Sequence, residues 1–563
     1  MKYAFPLDEL RPLSCDGKDT WGSYSLTLID ALDSLIIMGN VTEFRRATEL
    51  LLKQIDLNKD VNISVFETNI RSGLISAHLL SGRSGMRLEE NWPCDGPLLR
   101  LAKKFGEKLL PAFDTNTFMP YGTVNLALSG VPPKETNITC AACIGTFILE
   151  FGALSRLTGD PKFEQAALRA LKSLWNYRSN LGLLGNHIDV QTGRWTALES
   201  TIGTATDSLF EYLAKGSILF RNPELHAMFI GYKESIDKHL KFGNSYYMVN
   251  KDTGSVTMPA FQSLEAFWPS VLILTGETKK GVEHLVYYYK IWKKYGFLPE
   301  FYNVISGNIV PLKGGAPLRP EFAESILYAY QATKDPYFLE MGADILFAIE
   351  KVAKTECGFA SVKDVTEHTL ENRMESFFLA ETAKYLYLLF DPENFINKVY
   401  DASESIKVTL KSGHQCSVGM GGWIFNTEAH PIDPHALDCC YPENDFIPNL
   451  KEDIEKEIRQ EKEDLLQDIS FILNEYLSSP IEMESTVKQD VTDSILIKLW
   501  KDSLTQFSDN VSFDERAQQI LKSKEKVSSK FYLDYLMKNT TLLSCPIPSL
   551  EEKMIDASLM DCD

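Results

Sequence analysis

Apolar residues recur every three or four positions over most of the chain between about residues 20 and 390, which is the spacing of one face of an α-helix. Alternation of apolar and polar residues, the pattern of a half-buried strand, is scarce. The pattern predicts an all-α fold whose clearest helices cover residues 25–38, 145–157, 163–175, 208–220, 282–295, 322–332, 337–351 and 376–390.

The predicted helices are joined by a recurring signal at which one helix ends and the next begins. Asp-Pro or Asn-Pro steps place proline at 161, 223 and 336, and a Thr-Gly-Glu version stands at 275–277. Asp or Asn caps the new helix, and proline suits its first position because the N–H that it lacks has no partner there. The spacing predicts repeated helix pairs of roughly 55–60 residues each, which could pack on their neighbours in a toroid. The spacing does not show whether the array closes, and an open superhelix is the simpler interpretation.

The composition changes after Cys440, where a charge-dense stretch over residues 443–468 begins. We therefore predict one domain over residues 1–440 and a charged, helical, partly flexible tail over residues 441–563. A solvated coil is the simpler interpretation of this charge-rich tail. The 563 residues carry a net charge of 57 − 77 = −20, which argues against nucleic acid as a partner because phosphate contacts need a basic surface. No apolar run reaches the roughly 18 residues of a membrane-spanning helix, so no membrane span is expected.

Cysteines and glycosylation sequons favour an oxidising compartment. The cysteines number ten, and five Asn-x-Ser/Thr sequons, which also arise by chance, stand at Asn40, Asn62, Asn137, Asn510 and Asn539. The first residues lack the charged and apolar regions of a signal peptide, so either the protein is cytosolic or the sequence starts inside a longer one. Cys140 and Cys143 have redox-motif spacing, but without a βαβ context a disulfide or a chance pair is the simpler interpretation.

Four acidic residues stand among glycine, proline and apolar neighbours: Glu67, Asp207, Glu300 and Glu321. Burial raises the pKa of a carboxyl, and a glycosidase needs one protonated carboxyl beside a second, ionised one. Each residue also has a structural explanation. Glu67 can pair with Arg71 on a helix and Asp207 can cap one, whereas Glu321 can complement a helix dipole and Glu300 can close a turn.

Thr427 stands before Glu428 in the segment FNTEAHP at residues 425–431. The hydroxyl and carbonyl oxygens of a threonine beside carboxylates are hard ligands of the kind that calcium prefers. A threonine before glutamate is also an ordinary helix cap. His430 has no partners at zinc-ligand spacing, so the sequence offers no zinc site there.

Six motifs occur in an order typical of a known family: CDGKDTWG at 15–22, FETNIR at 66–71, DSLFEYL at 207–213, LRPE at 318–321, MESFFLAET at 374–382 and NTEAHP at 426–431. Over residues 4–440 the chain resembles glycoside hydrolase family 47, the class I α-1,2-mannosidases. Within it, the chain resembles the ER degradation-enhancing α-mannosidase-like group and its "-like protein 2" branch. The resemblance implies an (α/α)7 barrel, inverting removal of terminal α-1,2-linked mannose from N-glycans, and one Ca²⁺ at the base of the barrel.

The resemblance also assigns expected roles to residues. Glu67 matches the family's acid, Asp207 and Glu300 match further catalytic carboxylates, and Glu321 matches the proposed base. Thr427 matches the calcium ligand. The residues that match pocket positions, which hold sugar hydroxyls, stack on the ring or order calcium-bound waters, are Arg71, Arg319, Phe377, Glu381 and Glu428.

The cysteines take expected roles from the same resemblance. Cys15 and Cys357 match the two halves of a disulfide. Cys545 in the tail is expected to form a mixed disulfide with a thioredoxin-like oxidoreductase, and a free or internally paired Cys545 is the alternative. Because the family has a signal peptide and a first helix ahead of the motif at 15–22, the resemblance implies a truncated start and a location in the ER lumen.

Three functional hypotheses follow. As an enzyme, the protein trims Man9- or Man8-type high-mannose N-glycans on misfolded glycoproteins and so promotes their ER-associated degradation. As a lectin-like receptor, it binds the same glycans without turnover, but a receptor has less need of all four acids. A folding factor that acts mainly through its cysteines is a third hypothesis.

Overall fold

The structure is a computed structural model that describes residues 2–20, 22, 24–66 and 70–441, with the backbone only at residues 70 and 71. This part of the chain contains sixteen α-helices: α1 Leu26–Asp30, α2 Leu32–Ile37, α3 Val41–Gln54, α4 Ile70–Leu80, α5 Pro97–Leu109, α6 Ala141–Gly145, α7 Ile148–Thr158, α8 Lys162–Asn176, α9 Asp207–Leu219, α10 Pro223–His239, α11 Trp268–Leu274, α12 Thr278–Tyr295, α13 Glu321–Thr333, α14 Tyr337–Ala348, α15 Ala383–Phe390 and α16 Pro434–Cys440. Two π-helical turns, Ile349–Ala353 and Phe378–Thr382, extend α14 and lead into α15.

The helices form a closed double ring. Seven inner stretches contact one another in the order α1 and α2, α4, α7, α9, α11, α13 and α15, and the π-helical turn before α15 packs back on α1 and α2. The outer helices α3, α5, α8, α10, α12 and α14 each pack on the inner stretch that precedes them in the chain. The prediction of an all-α (α/α)7 barrel is confirmed, and the array closes into a ring.

Burial separates the two layers. Inner helix α7 buries nine residues of eleven, Glu150 among them, whereas outer helix α8 buries only six of fifteen along one stripe. The described stretch Ala141–Thr158 is long and apolar enough to span a membrane, but 83% of it is buried in the barrel, as expected of a core helix.

The predicted junctions between hairpins use the expected chemistry. The side-chain oxygen of Asn222 accepts hydrogen bonds from the backbone N–H groups of Glu224 (2.9 Å) and Leu225 (3.3 Å), and Pro223 takes the first position of α10. Asp335 accepts a hydrogen bond from the N–H of Tyr337 (2.9 Å), but Pro336 and Pro161 lie at the cap positions of α14 and α8, one residue before the predicted place. The helix predicted over residues 25–38 is broken at Ala31 into α1 and α2.

The strands, two to four residues long, form antiparallel hairpins and small sheets: β1 Glu9–Arg11, β2 Asp16–Lys18, β3 Asn62–Ser64, β4 Thr123–Asn125, β5 Ile138–Cys140, β6 His187–Asp189, β7 Trp195–Ala197, β8 Glu199–Ser200, β9 Lys241–Phe242, β10 Ser245–Tyr246, β11 Met248–Asn250, β12 Val256–Met258, β13 Ala260–Gln262, β14 Phe301–Asn303, β15 Asn308–Ile309, β16 Ser361–Asp364, β17 Thr369–Glu371, β18 Ile406–Thr409, β19 Gln415–Val418, β20 Ile424–Phe425 and β21 Pro431–Ile432. Three-stranded sheets have the orders β5-β6-β7, β8-β11-β12 and β13-β14-β15. The hairpin of β20 and β21 contacts inner helices α9 and α4, so its turn reaches the barrel interior.

Four disulfides join the cysteines of the described part. Cys15 pairs with Cys357, as the resemblance implied, with 5.5 Å between the Cα atoms. The other pairs are Cys94–Cys440, Cys140–Cys143 and Cys416–Cys439. Two of the four bonds therefore span more than 340 residues of sequence and join early parts of the chain to late ones.

Candidate active site

A cavity of about 590 Å³ lies at the amino-terminal ends of inner helices α9 and α13. Its walls come from β5 and α6, from the loops before α9 and α13, from the π-helical turn before α15, and from the turn between β20 and β21. Among the described residues, one guanidinium, that of Arg319, and six carboxyl groups line it: Asp207, Glu211, Glu321, Glu324, Glu381 and Glu428. The cavity is therefore strongly acidic.

Asp207 and Glu321 are the first residues of α9 and α13, so the helix geometry presents both carboxyls to the cavity. Asp207 accepts a hydrogen bond from the N–H of Ser208 (2.9 Å), and burial raises the pKa of Asp207 to about 6. Burial raises the pKa of Glu321 to about 8, and its Oε2 atom has no hydrogen-bond partner among the described residues. Two carboxyls with separated pKa values are what acid–base chemistry near neutral pH requires.

Glu300 lies behind the cavity wall and binds Arg319. The Nε and Nη2 atoms of Arg319 donate to the two oxygens of Glu300 at 2.7 and 3.0 Å, and the hydroxyl of Ser263 donates to it at 3.3 Å. Burial alone would lower the pKa of Arg319, but the hydrogen bonds and charge of Glu300 raise it. The guanidinium carbon lies 5.9 Å from the centre of the Phe377 ring, which also lines the cavity.

The turn between β20 and β21 forms the floor of the cavity and carries Thr427. The Asn426 side chain donates to Glu150 of α7 at 2.9 Å, and the Tyr212 hydroxyl of α9 donates to the same carboxylate. The N–H of Thr427 then donates to the Tyr212 hydroxyl at 3.4 Å. Two inner helices thus position the threonine that the sequence singled out.

Glu428 and Glu381 face each other beside Thr427. Burial and the charges of Glu428 and Glu321 raise the pKa of Glu381, which donates a hydrogen bond to Glu428. The pKa of Glu428 is also raised, first by burial and then by the charge of Asp30. Burial and the neighbouring like charges therefore make both carboxyls harder to ionise than a carboxyl in water.

A buried cluster of charged side chains holds the same turn in place. Lys384 donates to Asp33 at 2.6 Å and to the Ala429 carbonyl at 2.7 Å. His430 contacts Asp33 through Nδ1 at 2.7 Å and Asp30 through Nε2 at 3.1 Å. His430, which zinc spacing did not favour, is thus a buried ion-pair partner.

This cluster predicts that stability depends on pH. Burial alone would lower the pKa of His430, but Asp33 and Asp30 raise it to about 9 from 6.5. A raised pKa means that the folded state binds the proton more tightly than the unfolded state does. The contribution of His430 to the free energy of unfolding is therefore complete below pH 6.5 and is lost as the pH rises through 9. Since the pKa of Glu321 is raised as well, we expect the free energy of unfolding to fall between pH 6.5 and 9.

Urea unfolding across this pH range measures the slope. We expect His430→Gln to make the slope shallower than it is in the wild type. One proton accounts for at most about 1.4 kcal/mol per pH unit. A slope that is identical in the wild type and His430→Gln contradicts the assignment.

Glu211 and Glu324 also line the cavity, although neither was among the residues predicted to be functional. Lys215, buried beneath them, donates to Glu211 and, at 3.2 Å, to Glu324. The signal was present in the spacing, because Glu211 stands four residues after Asp207 and Glu324 three residues after Glu321, on the same helix faces. The structure explains why they matter: Lys215 neutralises part of a crowded acidic floor.

Several residues expected to be functional fall outside what the structure describes. Glu67, Cys545, Asn510 and Asn539 lie outside the described residues, and of Arg71 only the backbone is described. The remaining sequon asparagines are exposed: Asn40 at the cap of α3, Asn62 in β3 and Asn137 just before β5.

The cavity floor has the donor chemistry for a divalent cation. No group of three Cys, His, Asp or Glu side chains in the described ranges has a spacing that would by itself hold a metal ion. Thr427 offers a hydroxyl and a carbonyl oxygen, and the neighbouring carboxyls of Glu381, Glu428 and Glu321 have pKa values raised by crowding and burial. A cation bound through Thr427 and water would compensate this excess of acidic groups, so the residues fit such an ion.

Comparisons with known proteins agree with this geometry. Residues 1–433 match the model of glycosyl hydrolase family 47. The human protein named ER degradation-enhancing alpha-mannosidase-like protein 2 is 56% identical over 442 residues, which cover 78% of this chain and 76% of that protein. Alpha-mannosidase I MNS4 of Arabidopsis thaliana is 42% identical over 467 residues, covering 81% and 72% respectively.

A solved structure supports the fold. The alpha-1,2-mannosidase from Trichoderma reesei superposes with a TM-score of 0.65 at 26% identity, covering 76% of this chain and 94% of that one. The resemblance to the "-like protein 2" branch, inferred from six motifs, is confirmed by the human relative and by an equally similar mouse one. From its ring of helix pairs, its acidic cavity and these matches, the chain belongs to glycosyl hydrolase family 47.

Proposed function

We propose that this protein is an inverting, calcium-dependent α-1,2-mannosidase of the endoplasmic reticulum lumen. It trims high-mannose N-glycans of the Man9 and Man8 type on misfolded glycoproteins and so promotes their degradation. The observation that carries the proposal is that two half-buried carboxyls, those of Asp207 and Glu321, line one cavity at the starts of α9 and α13, where desolvation raises their pKa values to about 6 and about 8. The names of the similar human and Arabidopsis proteins support the substrate class and the compartment.

Inverting hydrolysis needs one carboxyl to protonate the leaving oxygen and a second to take a proton from the attacking water. We assign the first role to Glu67 and the second to Glu321. Asp207 faces the same space, where its charge stabilises positive charge that develops on the sugar ring. Glu300 holds the guanidinium of Arg319 through two hydrogen bonds, and Arg319 in turn binds sugar hydroxyls beside the Phe377 ring.

Glu321 must be ionised to act as a base, and a pKa of about 8 keeps it largely protonated at neutral pH. Thr427 would hold the calcium ion through its hydroxyl and carbonyl oxygens, and Glu381 and Glu428 would order the waters around it. When bound, Ca²⁺ supplies positive charge that lowers the pKa of nearby carboxyls and oxygen coordination that grips sugar hydroxyls. The protein's own carboxyls then perform the proton transfers.

Trimming of a purified Man9 glycan by the full chain tests this function. We expect mannose release to stop with a calcium chelator, to return with added Ca²⁺, and to be lost in Thr427→Val. Proton NMR should detect the β-anomer of mannose first, because the reaction inverts the α-linkage. Initial release of the α-anomer contradicts inversion, and release that persists in chelator contradicts the role of calcium.

The same assay separates the enzyme from a lectin-like receptor. The receptor hypothesis would be favoured if isothermal titration calorimetry detects binding of the Man9 glycan while the protein releases no mannose, with or without Ca²⁺. Glu234→Gln, at an exposed glutamate of outer helix α10, is the matched control and should trim as the wild type does.

A further inference from the structure

The wall of the cavity contains a disulfide that the proposed sugar chemistry does not use. Cys140 ends β5, Cys143 lies in α6, and both residues line the cavity with Ala142 and His187. None of the cysteines in the other three disulfides of the described part lines this cavity.

The two sulfur atoms of this pair have different surroundings. Cys140 is 9% exposed, whereas Cys143 is more open. The backbone N–H of Cys143 donates a hydrogen bond to Sγ of Cys140 at 2.9 Å. This donor stabilises negative charge on Cys140 specifically, so Cys140 is the better leaving thiolate and Cys143 the more accessible sulfur.

A titratable side chain lies close to the pair. His187 is directly opposite Cys140 in the β5–β6 ladder, it is exposed, and it lines the same cavity. Residues opposite each other in a ladder have Cβ atoms about 5 Å apart. An imidazole at that position can take the proton from an incoming thiol, because the thiolate is the attacking species.

We propose that the Cys140–Cys143 disulfide is a thiol-exchange site in the cavity wall, at which a small thiol of the glutathione class adds to Cys143. The thiolate sulfur attacks Sγ of Cys143, the Cys140–Cys143 bond breaks, and the electron pair leaves on Cys140, which takes up a proton. A second thiolate attacks the bound thiol's sulfur and releases Cys143 as a thiol. Two thiols are thereby oxidised to one disulfide, and the cysteine pair gains two electrons and two protons.

The bond can open without unfolding the barrel. It closes a loop of only three residues in sequence separation, so it constrains the unfolded chain far less than the bonds that span 342 and 346 residues. Its opening reaches the sugar site through contacts between the segment around α6 and the start of α9, such as the hydrogen bond between the Thr146 and Ser208 hydroxyls at 2.9 Å. The N–H of Ala142 donates to the Ala205 carbonyl at 2.7 Å, and Ala205, with a left-handed φ of 74°, belongs to the loop that precedes Asp207.

Differential thiol alkylation and mass spectrometry of the folded full chain test the proposal in glutathione buffers of graded reducing strength. We expect Cys140–Cys143 to open while Cys15–Cys357, Cys94–Cys440 and Cys416–Cys439 stay closed, with the transient glutathione adduct on Cys143. Amide hydrogen exchange over residues 203–208 should rise when the pair opens. The proposal is overturned if the pair opens only together with the long-range disulfides, or if the adduct forms on Cys140.

Two variants sharpen the test. His187→Ala should slow opening by roughly 10²-fold at neutral pH, since it removes the proton acceptor, whereas His226→Ala on outer helix α10 should leave the rate unchanged. Equal opening rates in wild type and His187→Ala remove the histidine from the mechanism. None of these readouts involves a glycan, so failure of the proposed mannosidase function would not be mistaken for failure of the exchange site.

Discussion

Glu321→Gln is expected to lower the rate of mannose release by about 10²–10⁴-fold, because it removes the proposed proton acceptor without changing the shape of the side chain. The wild-type carboxyl is half-buried, its pKa is raised to about 8, and Oε2 has no hydrogen-bond partner among the described residues. At neutral pH the amide is neutral like the largely protonated wild-type carboxyl, and above pH 8 it avoids the cost of burying a charge. We therefore expect the melting temperature to stay the same or to rise while activity is lost.

Initial rates with the Man9 glycan and a thermal melt of the same sample measure both effects. Glu234→Gln, which makes the same chemical change at an exposed position, should alter neither quantity. A Glu321→Gln protein that trims at the wild-type rate would exclude Glu321 as the base. One that loses activity only because it melts at a lower temperature would make the residue structural.

Lys384→Met is expected to lower the free energy of unfolding by about 3–5 kcal/mol, the typical cost of removing one partner from a buried ion pair. Lys384 and Asp33 are fully buried, and Lys384 also donates to the Ala429 carbonyl in the turn that carries Thr427. Methionine fills similar space but leaves Asp33 with His430 as its remaining charged neighbour.

Lys354→Met is the matched control, since Lys354 pairs with Glu350 on the surface with 56% and 42% of the side chains exposed. We expect that change to stay within about 0.5 kcal/mol, because exposed ion pairs contribute little. Urea unfolding followed by tryptophan fluorescence measures both variants. Equal losses in the two would show that the buried cluster does not anchor the turn.

The helical architecture was predictable because its signals are local. Three- and four-residue spacing located most of the inner and outer helices, and the cap chemistry at Asn222 and Asp335 marked their junctions. Closure of the ring was not predictable from spacing, since it depends on contacts between the π-helical turn before α15 and helices α1 and α2, more than 340 residues apart.

The candidate site was predictable only in part. Motif resemblance singled out Asp207, Glu321 and Thr427, which the folded chain brings to one cavity. The pairing of buried charges was not predicted from the sequence. Lys215 lies between Glu211 and Glu324 because of tertiary packing. The same holds for His430, which lies between Asp30 and Asp33. For a helical residue such as Lys215, the three- and four-residue spacing indicates only that it lies on an apolar face.

The contacts that close the ring, and the Cys94–Cys440 disulfide, can form only after most of the domain has been synthesised. A ribosome that adds about 5–20 residues per second needs roughly 20–70 s to make the 346 residues that separate Cys94 from Cys440. During that interval the emerging inner helices have no neighbour on one side, and their apolar faces remain available to chaperones. A protein proposed to promote the degradation of misfolded glycoproteins is thus itself incompletely folded during much of its synthesis.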